Sequence, residues 1–80
     1  MIEDSVTLFF QVQRKELVYL KFILEAYEGM STLSTVDQQR GIVQVVIPTP
    51  FLTDMKLLLE TIGQEISLIP LEHPHAAAQE

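Results

Sequence analysis

Leu17-Val18-Tyr19-Leu20-Lys21-Phe22-Ile23-Leu24-Glu25-Ala26-Tyr27-Glu28-Gly29 reads as a helix and sets how the rest of the chain must be arranged. Leu17, Leu20, Ile23, Leu24 and Tyr27 recur at spacings of three and four, so they share one helical face. Arg14, Lys21, Glu25 and Glu28 form a polar strip. Val18, Tyr19, Phe22 and Ala26 carry apolar surface round the flank, more than one small core needs. Something else must cover it: a second subunit, a partner or a ligand. The predicted helix runs from about 15 to 28. Gly29 is suited to end it, because glycine accepts a left-handed backbone. Arg14 and Lys15 oppose the helix dipole at its N-terminus, and Glu16 offsets this only in part.

The flanking segments change period. Val6, Leu8, Phe10 and Val12 alternate with Thr7, Phe9 and Gln11, which predicts a half-buried strand near 5–13. On the other side, Thr32-Leu33-Ser34-Thr35-Val36 reads as a more polar strand, near 32–37. Asp37-Gln38-Gln39-Arg40-Gly41 is turn-like. Ile42-Val43-Gln44-Val45-Val46-Ile47, rich in β-branched residues, predicts the strongest strand, near 42–48. The short turn implies an antiparallel hairpin.

Thr49 suits an N-cap and Pro50 a first helical position, so a second helix is expected near 50–62. Its stripe is Phe51, Leu52, Met55, Leu58, Leu59 and Ile62, with Thr53, Lys56 and Glu60 opposite. A last strand is expected near 66–71, with Pro70 marking a sheet edge. The order predicts an α+β, ferredoxin-like βαββαβ domain: a four-stranded antiparallel sheet with two helices on one face. The first and third strands should be central, leaving Phe9, Ile42 and Val46 on the open face. Residues 1–71 are expected as one domain and 72–80 as a disordered tail.

Composition narrows the function classes. Eighty residues without cysteine make one small domain with no disulfide, no thiolate metal site and no Cys nucleophile. Eleven acids against five bases give a net charge of −6, which argues against nucleic acid and anionic membrane surfaces. Met1-Ile2-Glu3-Asp4-Ser5 lacks the basic region of a signal peptide, and no run is apolar enough for a membrane span. The expected location is cytoplasmic.

No catalytic constellation stands out. His73-Pro74-His75 is the only histidine pair and has no carboxylate shell, so it reads as a solvated tail rather than a metal site. Asp37 and Arg40 share the hairpin tip, where turn chemistry and solubility account for both. Glu25 and Glu28 resemble a solvated face more than an acid–base pair, which needs opposed environments. Arg40-Gly41 before a strand resembles the start of an RNP1 motif, but the following positions lack the aromatic rings on which bases stack.

The run Tyr19-Leu20-Lys21-Phe22-Ile23-Leu24-Glu25, with Tyr27-Glu28-Gly29, Ser34-Thr35-Val36-Asp37 and Gly41-Ile42-Val43, resembles DUF4911. That is a family of small bacterial proteins of unknown function, and the resemblance covers about Val6 to Ile62. It implies no activity and no catalytic residues. The order of elements also resembles ACT domains, which bind small regulatory ligands at dimer interfaces. Those domains usually place an Asp and a Gly in the loop before the first helix. Here that loop is Gln13-Arg14-Lys15, so an amino-acid-binding role does not carry over.

The expected function is a non-catalytic interaction or regulatory module without metal or cofactor, acting as a homodimer. Val18, Tyr19, Phe22 and Ala26 are the interface candidates, because wide apolar patches on soluble monomers are uncommon. The more polar second strand offers a further pairing edge. Alternatives are a protein partner, a small-metabolite sensor, and, less favoured by the residues, a carboxylate-based enzyme using Glu25, Glu28 or Asp37 or an RNA-binding module.

Overall fold

A computed structural model of the chain describes residues 4–27 and 29–73. Alternating apolar residues extend the first segment as β1 (Ser5–Gln11), and a 3-10 turn at Arg14–Glu16 leads into α1 (Leu17–Glu25). The hairpin is β2 (Thr32–Asp37) and β3 (Ile42–Pro48). A second 3-10 turn, Thr49–Phe51, precedes α2 (Leu52–Ile62), and β4 is Ile69–Leu71. All strand pairs are antiparallel, in the order β2-β3-β1-β4. The molecule is therefore an α+β structure with a four-stranded antiparallel sheet and two helices.

Register sorts the side chains. Val6, Leu8 and Phe10 of β1 lie opposite Ile47, Val45 and Val43 of β3. The β3 trio is fully buried with Leu20 and Leu24 of α1 and with Met55, Leu59 and Ile62 of α2. Successive strand residues point to opposite faces, so both helices cover the same side of the sheet. Thr7, Phe9 and Gln11, opposite Val46, Gln44 and Ile42, face the other side.

The hairpin turn depends on one glycine. Gly41 has φ +72°, and a Cβ there would sit 1.9 Å from the Val12 carbonyl oxygen. The Val12 amide donates to the Gly41 carbonyl at 2.8 Å, so the two backbones must stay in contact. The turn also uses the Asp37 carboxylate, whose Oδ1 accepts from the Arg40 amide at 3.1 Å.

Element ends differ from the sequence reading in four places. The first strand stops at Gln11 rather than near 13, because the Glu16 amide donates to Gln13 O at 2.8 Å and turns the chain. The first helix is regular only over Leu17–Glu25. Beyond it the Ala26 and Tyr27 amides reach back to Ile23 and Leu24, each at 3.1 Å, and Gly29 follows at φ +89°. The second helix begins at Leu52, and the Thr49 side chain caps nothing; its amide donates to Asp4 O at 3.0 Å. The last strand is only Ile69–Leu71, since the Ile66 amide donates to Ile62 O at 3.0 Å and Ile66 plugs the core from the turn after α2.

The expected tail lies mostly outside the described residues, as do Glu28 and His75. Among the described residues no helix is long and apolar enough to cross a membrane.

Candidate functional site

The outer face of α1 is the least satisfied surface. Inward, Leu20 and Leu24 are buried and Leu17 and Ile23 pack beside them. Outward, Val18 is 76% exposed and Phe22 is 72% exposed, one turn apart. Ala26 continues the same flank and is exposed. A single exposed apolar residue needs no explanation, but a stacked valine and phenylalanine keep a continuous apolar strip in water.

Tyr19 behaves differently from its neighbours. It is 39% exposed, and its hydroxyl donates to the Glu65 carboxylate in the turn after α2. This bond ties the start of α1 to the end of α2. It holds the phenol proton, so the Tyr19 hydroxyl titrates above the usual tyrosine value; partial burial and the charges of Glu65 and Glu16 act in the same direction. Tyr19 is thus engaged within the chain, while Val18 and Phe22 are not covered.

On the other flank of α1 an open cleft of about 470 Å³ separates the helix from the start of β2. Lys21, Leu24, Glu25, Ser31 and Leu33 line it. Lys21 and Glu25, both exposed, stand at its edge, and among the described residues no ion pair joins them. The Ser31 Oγ is buried and lacks a hydrogen-bond partner among the described residues. A buried hydroxyl left unpaired costs about 1–3 kcal/mol, and among the described residues this is the one buried side-chain polar atom without a partner.

The other candidate positions are dispersed. Phe9 and Val46 lie half-buried on the sheet face away from the helices. Ile42 shares that face by register but is only 1% exposed, flanked in the ladder by Gln11 and Asp37. It is therefore an interior residue and presents nothing to a ligand. Arg40 is exposed at the hairpin tip, where its carbonyl accepts from Gln11 Nε2 at 3.0 Å and its amide donates to Asp37. Glu25 and Asp37 stand on different elements, one on α1 and one ending β2. No group of three or more His, Cys, Asp or Glu side chains gathers as a metal site among the described residues.

Reading the sequence missed Glu65 as the acceptor for Tyr19, and it missed Ser31. Neither has a local signal. The Tyr19–Glu65 bond joins residues 46 apart, and the Ser31 environment depends on the cleft. No curated protein and no solved structure matches the chain significantly. The model of DUF4911, a domain of unknown function, matches residues 10–66, well over half of the sequence, and the chain belongs to that family.

Proposed function

We propose that the protein is a non-catalytic interaction or regulatory module that acts as a homodimer. In this reading it is a cytoplasmic bacterial domain of ferredoxin-like, ACT-like architecture that needs no cofactor, nucleic acid or membrane. The observation that carries it is the uncovered pair Val18 and Phe22 on α1. Fully burying one such side chain contributes roughly 1.5–3 kcal/mol. A two-fold contact buries four of them, against an association cost of about 4–15 kcal/mol. The two ranges overlap, which is in keeping with a weak, reversible dimer and not with an obligate one. Sedimentation equilibrium over a broad concentration range tests it. A reversible monomer–dimer transition supports the reading, and a monomer at the highest concentration overturns it.

A second reading follows from the cleft beside α1. Lys21 and Glu25 border it with a cation and an anion, and Ser31 lines it beside them. That set suits a small polar metabolite carrying both charges. Binding to the native state raises apparent stability, so a thermal-shift screen of small zwitterions distinguishes a sensor from a pure association module. The carboxylate-enzyme alternative is weaker, because Asp37 is engaged by the Arg40 amide in the hairpin turn and Glu25 is exposed on α1. An E25A or D37A variant that loses a cellular phenotype while keeping its fold and its association would favour the enzyme.

A further inference from the structure

Four residues line the outer face of α1 and the turn that leads into it: Lys15, Val18, Phe22 and Glu25. All four are exposed; Val18, Phe22 and Glu25 follow the four-and-three spacing of one helix face, and Lys15 precedes them from the 3-10 turn. Their order has a further property. Val18 and Phe22 are each two residues from Leu20, and Lys15 and Glu25 are each five. A two-fold axis crossing the helix at the level of Leu20 therefore exchanges the two apolar residues and exchanges the two charges.

We propose that a second copy of this chain docks antiparallel along the outer face of α1. Val18 of each protomer packs on the partner's Phe22, and Lys15 of each meets the partner's Glu25. The proposal rests on the dimer reading above and specifies its geometry. Charge selects the orientation. Parallel docking would set lysine against lysine and glutamate against glutamate, whereas the two-fold antiparallel arrangement opposes unlike charges at both ends. The apolar pair supplies attraction, and the charged ends fix register. Tyr19 is turned toward Glu65, which leaves the seam free of its bulk.

Charge reversal tests this cleanly, because neither Lys15 nor Glu25 is buried. The monomer should also tolerate both changes. An acid near the helix start and a base near its end suit the helix dipole better than the natural order. The full chain is studied by sedimentation velocity as wild type, K15E, E25K, the double variant, and an equal mixture of K15E and E25K. Each single reversal gives a seam of one sign, and its dimer should weaken about fivefold or more in low salt. The double variant should regain wild-type association. The mixture should form a heterodimer about as tight as the wild type, since an all-acidic seam meets an all-basic one. Added salt should narrow these differences.

A wild-type protein that stays monomeric overturns the dimer reading and the seam together. A dimer indifferent to both single reversals, or one that the double variant fails to restore, leaves the dimer standing and overturns the seam. A heterodimer much tighter than the wild type indicates parallel docking and overturns the antiparallel arrangement.

Discussion

The two helices do the same work inward and different work outward. Leu17, Leu20 and Leu24 of α1 correspond to Leu52, Met55 and Leu59 of α2, and both sets join one core with Val43, Val45 and Ile47 of β3. On the outside, Val18 and Phe22 of α1 correspond to Thr53 and Leu57 of α2. Leu57 is 59% exposed, but threonine stands where α1 has valine, and Lys56 and Glu60 surround it. A lone exposed leucine on a polar face is ordinary; a paired strip is not. Inner faces are set by the core they share, whereas the outer face of α1 leaves Val18 and Phe22 uncovered.

If the inner faces are equivalent, L20A and M55A should be equally damaging. Both residues are almost wholly buried, and each truncation should cost about 2–5 kcal/mol, read from urea unfolding at a dilution where the chain is monomeric. A cost below about 1 kcal/mol for one of them would break the equivalence. The outer faces should separate sharply. F22E places a charge in the proposed contact and should weaken the dimer about a hundredfold or more. L57E should leave association unchanged. An equal loss from both variants would remove the distinction between the helices.

A gentler exchange sharpens the same point. V18T gives α1 the residue type that α2 carries at that position, and the dimer should weaken about tenfold, in keeping with about 1–2 kcal/mol for losing part of an apolar contact on two protomers. T53V, the converse change on α2, should do nothing.

The smallest effect concerns the bond that joins the helices. The Tyr19 hydroxyl titrates above its usual value because Glu65 holds its proton, so the unfolded chain releases that proton first as pH rises. The stabilisation is whole below about pH 10 and is lost as the pH climbs through the raised folded value. Thermal melts should therefore fall less steeply on the alkaline side for Y19F than for the wild type. Identical alkaline slopes would mean that the bond contributes nothing in solution.

The hairpin was readable in the sequence because local signals agreed. β-branched residues lie at 42–47, a turn composition precedes them, and Gly41 supplies the left-handed position. The central strands followed from apolar content. Ile66 was misread as strand because an apolar run looks the same whether it enters a sheet or closes a helix. Only the backbone bond from Ile66 to Ile62, set by the turn after α2, distinguishes the two. The apolar excess of α1 was legible as composition. The separation of Tyr19 from Val18 and Phe22 was not, because its acceptor comes from a distant turn. Ile42 shares a face with Phe9 and Val46 by register, but it is buried there, and that burial depends on neighbours the register brings in.

The two outer strands of the sheet bear on what happens when the protein is concentrated. β2 breaks register between Thr35 and Asp37, and β4 is three residues long with Pro70 at its middle, where no amide can donate. A growing fibril needs a long, regular rail of backbone donors and acceptors; β4 provides none, and β2, which the sequence offers as a pairing edge, is regular only over Thr32–Thr35. Copies meeting at the rim find no long template to extend, so the dimer proposed through the helices would end at two chains and not run on into a filament.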